Sequence, residues 1–273
     1  MDNIQLAQRA RIGVLIPATN TGVEYDLQNL AAAGVSWHAS RFWVPSPNWA
    51  ADGEKTGDGV DSAFERFLES IRPELPLAIR NAMAADIHHL MLGMSAETFW
   101  GGQQGNSAFE RRIVDCMQEW RTIDPEGGMN YQRDIGLTTG AGAIVAALRA
   151  FAAKKIAVID PYPPIGDKNV ELFFNDMGFA VNKVQGLCRA NAWEIARSPI
   201  SAVLAAVNAV DADDVDVIVQ AGTNLSTADI FPTLEHILGK PCLSINTVTA
   251  WHALRACGIN DRVVGKGRLL EEF

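Results

Sequence analysis

The sequence predicts an α/β protein made of two doubly wound parallel-sheet lobes related by pseudo-two-fold symmetry, with a ligand cleft between them. Three observations predict it. The first is a repeated cassette in which a short apolar strand ends in proline and a glycine follows 17 residues later. Ile12-Gly-Val-Leu-Ile-Pro17 leads through an Asn-bearing turn and a helix to Gly34, and Ile156-Ala-Val-Ile-Asp-Pro161 leads through a Tyr-bearing turn and a helix to Gly178. The second is a series of continuous apolar runs, the mark of parallel strands covered on both faces. The third is the 3.6-residue period of the stretches between those runs.

Strands are expected at 12–17, 87–92, 156–159 and 215–220, with weaker ones at 35–42, 135–138, 180–184 and 242–244. Pro17-Ala-Thr-Asn20-Thr21 starts the first helix. Residues 44–61 are rich in Pro, Gly, Asp and Asn, as binding loops and plain surface excursions both are. Asp124-Pro-Glu-Gly-Gly128 reads as the linker between halves. The helix after Thr138-Thr139-Gly140 carries Ile144, Ala147, Leu148 and Phe151 on one stripe. The next carries Val170, Phe173, Phe174 and Met177, and stops at Gly178 in the left-handed C′ position. The last segment, from Gly239 to Trp251, gives a strand and a helix that return the chain to the first lobe. The lobes are accordingly assigned as 1–125, completed by 246–273, and 126–245.

A chain of 273 residues fits one large domain or two of roughly 130. Its net charge of −9 argues against binding a phosphate backbone, which needs clustered Lys and Arg. An anion site built from backbone N–H groups stays compatible with it. Residues 1–11 are polar and unlike a signal peptide, and no run approaches the roughly 20 apolar residues of a membrane span. A cytoplasmic protein with neither nucleic-acid nor membrane partners is expected. Cys116, Cys188, Cys242 and Cys257 show no CxxC spacing, and Cys116 and Cys257 read as small buried hydrophobes. With no GxGxxG and no Walker A sequence, no cofactor is expected.

Ligands of open α/β sheets bind beyond the carboxyl ends of the strands. Four turns there are dense in small residues, hydroxyls and amides: 17–21, 93–102, 160–162 and 222–227. None contains Lys or Arg, which favours a carboxylate held by neutral donors over a nucleotide phosphate.

These turns also carry a family resemblance. Pro17-Ala-Thr-Asn-Thr-Gly-Val-Glu24 resembles the Pro-Ser-Ser-Asn-Thr-x-x-Glu opening of the aspartate/glutamate racemase superfamily, in the branch of maleate cis-trans isomerases and arylmalonate decarboxylases. Asp160-Pro-Tyr162 with Asn169 and Phe173-Phe174 is similar to that branch's Thr-Pro-Tyr turn and helix. Gly222-Thr-Asn-Leu225 resembles its Cys-Thr-Asn-Leu motif, and Lys240-Pro241 through Ser244-Ile-Asn246 and Trp251 its closing strand and helix. The resemblance spans nearly the whole chain. It implies a homo-oligomer and a small carboxylate bound between the lobes. Asn20, Tyr162 and Asn224 become carboxylate ligands, with Thr21, Ser95 and Thr223 as further donors.

The catalytic thiols of the branch have no counterpart here. Their positions fall at Gly93 or Met94 and at Gly222, where no cysteine stands. Glu97, in a neutral turn beside Phe99 and Trp100, is the acid/base that could replace them, because desolvation raises a carboxyl toward a useful range. Tyr162 serves better as a hydrogen-bond donor than as an acid, a phenol having a pKa of ~10. Glu24 and Asp160 are expected to support the Asn20 and Tyr162 turns. Trp43, Trp49, Trp100 and Trp251 are candidates for an apolar wall. His88 and His89, on opposite faces of one strand, read as structural, as does His252. The expected activity is a cofactor-independent decarboxylase or isomerase with an enolate-like intermediate. Hydrolysis of a small carboxylate or amide, binding without catalysis, and a metal-dependent hydrolase using His88 or His89 are the alternatives.

Overall fold

The computed structural model describes residues 7–30, 32–50, 56–123 and 134–273. The linker expected at 124–128, and residues 51–55 of the expected loop, lie outside them. The first part of the chain runs β1 (Ala10–Pro17), α1 (Gly22–Leu30), β2 (Val35–Phe42), α2 (Asp58–Ile71), α3 (Leu75–Ala84), β3 (His89–Leu92), α4 (Ala96–Phe99), α5 (Gly102–Ile123), β4 (Gly136–Thr138) and α6 (Gly140–Ala150). It continues as β5 (Lys155–Asp160), α7 (Pro164–Asp176), β6 (Ala180–Gly186), α8 (Ala192–Ala196), α9 (Ile200–Val210), β7 (Val217–Gln220), α10 (Phe231–Leu238), β8 (Cys242–Ser244), α11 (Ile245–Ala256) and α12 (Arg268–Glu272).

Two four-stranded sheets result, ordered β2-β1-β3-β4 and β6-β5-β7-β8, and every pairing is parallel. The order is the same in both, as the repeated cassette requires. Central strands β1 and β5 are buried on both faces through Ile12, Val14, Leu15, Ile16 and Ile156, Val158, Ile159, so they read as unbroken apolar runs. Edge strand β6 instead carries Asn182, Lys183 and Gln185, which discourage pairing with another chain. Each cassette closes on a glycine with positive φ, Gly34 at 71° and Gly178 at 89°, a conformation that a Cβ would strain. Among the described residues no helix is long and apolar enough to cross a membrane.

Two expectations need correction. Residues 126–151 were assigned to the second lobe, yet β4 pairs with β3 in the first sheet and α6 packs against α11, which lies on β3 and β4. The reason is local: Gly140 has no side chain, and a Cβ there would come within 2.8 Å of Ile245 Cδ1. The chain therefore passes to the second sheet between α6 and β5. The stretch expected as loop to residue 61 also ends early, because α2 starts at Asp58.

Candidate active site

Turns at the carboxyl ends of β1, β3, β5 and β7 converge on a cavity of about 60 Å3 between the two sheets. A single water needs roughly 10–15 Å3, so the space suits a small molecule. Its apolar wall is built mainly by α2, through Phe64, Phe67, Leu68 and Ile71, with Trp49 and Ile195 beside them. Trp49 is carried by residues 47–50, which strap onto the second half of the chain. Ala192 N–H donates to Pro47 O at 3.0 Å, Ala50 N–H to Ala190 O at 3.1 Å, and Trp49 Nε1–H to Arg189 O at 2.6 Å.

The polar side holds a chain of hydrogen bonds. Thr223 N–H donates to Ser95 Oγ at 3.0 Å, Ser95 Oγ lies 2.7 Å from the Tyr162 hydroxyl, and that hydroxyl donates to Ala221 O at 2.9 Å. A phenol has one proton, so Ser95 must be the donor to Tyr162. Burial pushes the Tyr162 phenol well above its ordinary value. Asp160 Oδ1 accepts the Tyr162 N–H at 2.8 Å, fixing the turn as expected of it.

Asn20 and Asn224 brace the two halves across the cleft. Asn20 Nδ2 donates to Thr223 Oγ1 at 3.1 Å, and its Oδ1 accepts Val23 N–H at 3.1 Å. Asn224 Oδ1 accepts the N–H groups of Thr21 and Gly22 at 3.0 and 3.2 Å, while its Nδ2 donates to Ala192 O at 2.7 Å. Asn224 thus uses its oxygen and its amide on the protein itself. The Thr21 side chain is exposed and does not line the cavity. Around the cavity, the backbone N–H groups of Thr19, Ser95, Gly222 and Asn224 have no acceptor among the described residues.

Supporting residues surround this core. Glu24 pairs with Arg41, whose Nη1 donates to Asn20 O at 3.1 Å. Asp26, which sequence reasoning missed, accepts from Ser226 Oγ and from Asn246 Nδ2 at 2.7 Å, and Asn246 Nδ2 also donates to Thr223 O at 2.8 Å. Burial pushes the Asp26 carboxyl up to about 6, above its ordinary 3.8. Because the folded value exceeds the unfolded one, the stabilisation from this group is complete below about pH 3.8 and is lost as pH rises through about 6. Asp26→Asn should remove that slope, worth roughly 2–3 kcal/mol, from a pH series of urea unfolding curves. An unchanged slope would be the contrary result.

Glu97 does not reach the cavity wall. It is buried in α4 and turns to Arg72, with Oε1 2.5 Å from Nε, while Oε2 has no partner; burial raises its carboxyl. Of the four tryptophans, only Trp49 lines the cavity, and Trp43 is 63 % exposed. His89 is buried at the opposite end of β3, with Nε2 2.8 Å from Thr138 Oγ1, which is 2.9 Å from His252 Nδ1. Burial lowers His89 to about 4, so it stays neutral. His88 accepts Arg11 N–H on Nδ1 at 3.0 Å. None of the four cysteines lines the cavity, and Gly222 has no room for a side chain: a Cβ would lie 2.3 Å from Pro161 Cδ.

Residues 124–270, just over half of the chain, match the profile of the arylmalonate decarboxylase family. The chain belongs to the arylmalonate decarboxylase family. Within reach of that family, it is 26 % identical over 270 residues to a maleate isomerase of Nocardia farcinica, covering 96 % of each chain. A solved maleate cis-trans isomerase of Nocardia farcinica with a covalently bound succinylcysteine shares the fold at TM-score 0.79 and 23 % identity, over 97 % of this chain and 99 % of that one. A crystal structure of arylmalonate decarboxylase shares it at TM-score 0.67 and 19 % identity, over 96 % and 100 %.

Proposed function

We propose that this chain is a cofactor-independent enzyme of lyase or isomerase type, acting on a small carboxylic acid through an enolate-like intermediate with hydroxyls in place of thiols. The observation that carries this reading is the set of unpartnered N–H groups of Thr19, Ser95, Gly222 and Asn224 around one cavity. Fixed donors of this kind hold a carboxylate and favour the negative charge of an enolate without reorganising. The wall of Phe64, Phe67 and Trp49 accepts an apolar substituent. The names of the maleate isomerase and arylmalonate decarboxylase relatives support the same substrate class.

Proton transfer runs through Ser95 and Tyr162 in this reading. A buried phenol of raised pKa releases its proton only to a strongly basic acceptor, and the α-carbon of an enolised carboxylate is one. The Tyr162 O–H turns from Ala221 to that carbon, and Ser95 passes its own proton to the phenolate as it takes one from solvent, so that both end as hydroxyls. Glu97 supports the wall from behind rather than touching the substrate. A homo-oligomer, as the resemblance to the branch implies, placed in the cytoplasm completes the proposal.

A thermal-shift screen against malonates, maleate, malate and aryl acids tests the ligand class, since a ligand of the native state raises the Tm by mass action. Tyr162→Phe should then lower kcat by about 10²–10⁴-fold while Kd changes by less than about ten-fold. Full turnover in Tyr162→Phe would sink the proton path, and silence across the panel would sink the carboxylate site. Tyr162 is the one titratable side chain on the described cavity wall, which favours a second reading as a non-catalytic carboxylate-binding protein. Tight binding without turnover of any acid would establish that reading.

A further inference from the structure

We infer that Asp160 and Asp167 share a single proton, and that this carboxyl–carboxylate pair positions Tyr162. The inference rests on the role proposed for Tyr162, but its first test needs no substrate.

Asp160 ends β5 with no exposed surface. One of its oxygens is committed to the Tyr162 N–H, and the other, Oδ2, is buried without a partner. Asp167, in the first turn of α7, likewise buries Oδ1 without a partner. The two carboxyls lie within hydrogen-bond reach of each other. Gly186 makes the meeting possible. It stands opposite Asp160 in the strand register, and a Cβ on it would lie 2.4 Å from Asp167 Oδ1 and 2.6 Å from Oδ2.

No Lys or Arg forms an ion pair with either carboxyl among the described residues. The other groups facing the pair are Asp61 of α2, whose Oδ1 accepts Ile165 N–H at 3.2 Å, and the neutral Tyr162. Two buried negative charges in contact, with a third nearby and no cation ion-paired to them among the described residues, cannot all persist. One proton between Asp160 and Asp167 converts two orphan oxygens into a single O–H···O bond. Burial, together with the charge of the neighbouring carboxyl, raises Asp160 well above the usual carboxylate range, and burial raises Asp167 too. The pair therefore holds its proton well beyond the pH at which an ordinary carboxyl loses it, and the charge left behind when it leaves loosens the turn that carries Tyr162.

Infrared spectroscopy of the full-length protein reads the proton directly. At neutral pH the wild type should show the C=O stretch of a protonated carboxylic acid, shifted in D2O and absent from both Asp160→Asn and Asp167→Asn. Other buried acids such as Glu97 would survive both substitutions, which makes the assignment. A wild type with no band that both substitutions remove overturns the shared proton. For positioning, Asp160→Asn retains an acceptor for the Tyr162 N–H and mimics the protonated acid. It should hold malonate within about two-fold of wild type and flatten the fall in affinity with rising pH, whereas Asp160→Leu loses about ten-fold or more. Equal losses in both overturn the positioning role. Should Asp160→Asn not fold, Asp167→Asn carries both measurements. A wild type that shows the band but binds no acid leaves the pair standing and sinks the proposed function instead.

Discussion

Gly222→Cys is expected to destabilise the protein by about 2–3 kcal/mol and to weaken ligand binding rather than endow the site with a working thiol. The cause is the β-carbon, not the sulfur. A Cβ on Gly222 would stand 2.3 Å from Pro161 Cδ and 2.5 Å from Pro161 Cγ, and a proline ring cannot swing aside as a flexible side chain does. Relief requires the Pro161-Tyr162 turn to move, which pulls the phenol from Ser95 and Ala221. Gly222→Ala should therefore lose nearly as much as Gly222→Cys, as read from urea midpoints at constant m. The contrast is Gly93, where a Cβ would meet Leu15 O at 3.0 Å and Val23 Cγ1 at 3.1 Å, a crowding that small shifts can absorb. Wild-type stability in both Gly222 variants would show that the Pro161 turn is free to yield.

Phe64→Ala should cost about 3–5 kcal/mol, the range for removing a buried phenyl ring. Phe64 is 1 % exposed, and its ring meets Trp49 edge-on at 5.2 Å, Tyr162 at 5.6 Å, Phe67 at 5.9 Å and Trp100 at 6.1 Å. That cluster joins α2 and residues 47–50 to the Tyr162 turn, so the lost packing is not confined to one helix. The vacated volume opens into the cavity, and acids with a bulkier apolar group should gain affinity relative to small ones. Denaturant unfolding and paired thermal shifts measure the two effects. A loss below about 1 kcal/mol would mean that the wall collapses onto the gap, in which case the gain for bulky acids should vanish with it.

The central strands stand where continuous apolar runs placed them, because a strand buried on both faces must be apolar at every position, whereas the edge strands β2 and β6 carry polar residues and were the weaker expectations. The site turns were legible for a related reason: a strand that ends in Asn, Thr or Gly before a helix leaves its N–H groups open. What could not be read was direction and long-range partnership. Nothing in Ser95-Ala-Glu97 tells that one turn of helix aims Glu97 at Arg72, 25 residues earlier, rather than at the cavity. Asp26 meets Asn246 across 220 residues, and Asp160 meets Asp167 only because Gly186 on another strand leaves space. Trp49 differs from the other tryptophans only in the strap that carries it. The 126–151 assignment failed because β4 is three residues long and too short to announce its sheet.

The acceptor for the first N–H groups of α1 is Asn224 Oδ1, 203 residues away for Thr21 and 202 for Gly22. A helix start is ordinarily finished by a neighbouring side chain within one turn. Here Asn20 Oδ1 caps Val23 N–H locally, but the Thr21 and Gly22 N–H groups stay open until the turn after β7 has been made and has docked. During synthesis, that places completion of the first binding turn after more than four-fifths of the chain has left the ribosome. Contacts so distant in sequence must be closed against a large loop entropy before they return any stability. A truncated chain ending before Asn224 thus lacks the acceptor for the Thr21 and Gly22 N–H groups and keeps only the Asn20 cap at this helix start. Completion of this turn is consequently decided late, by one amide.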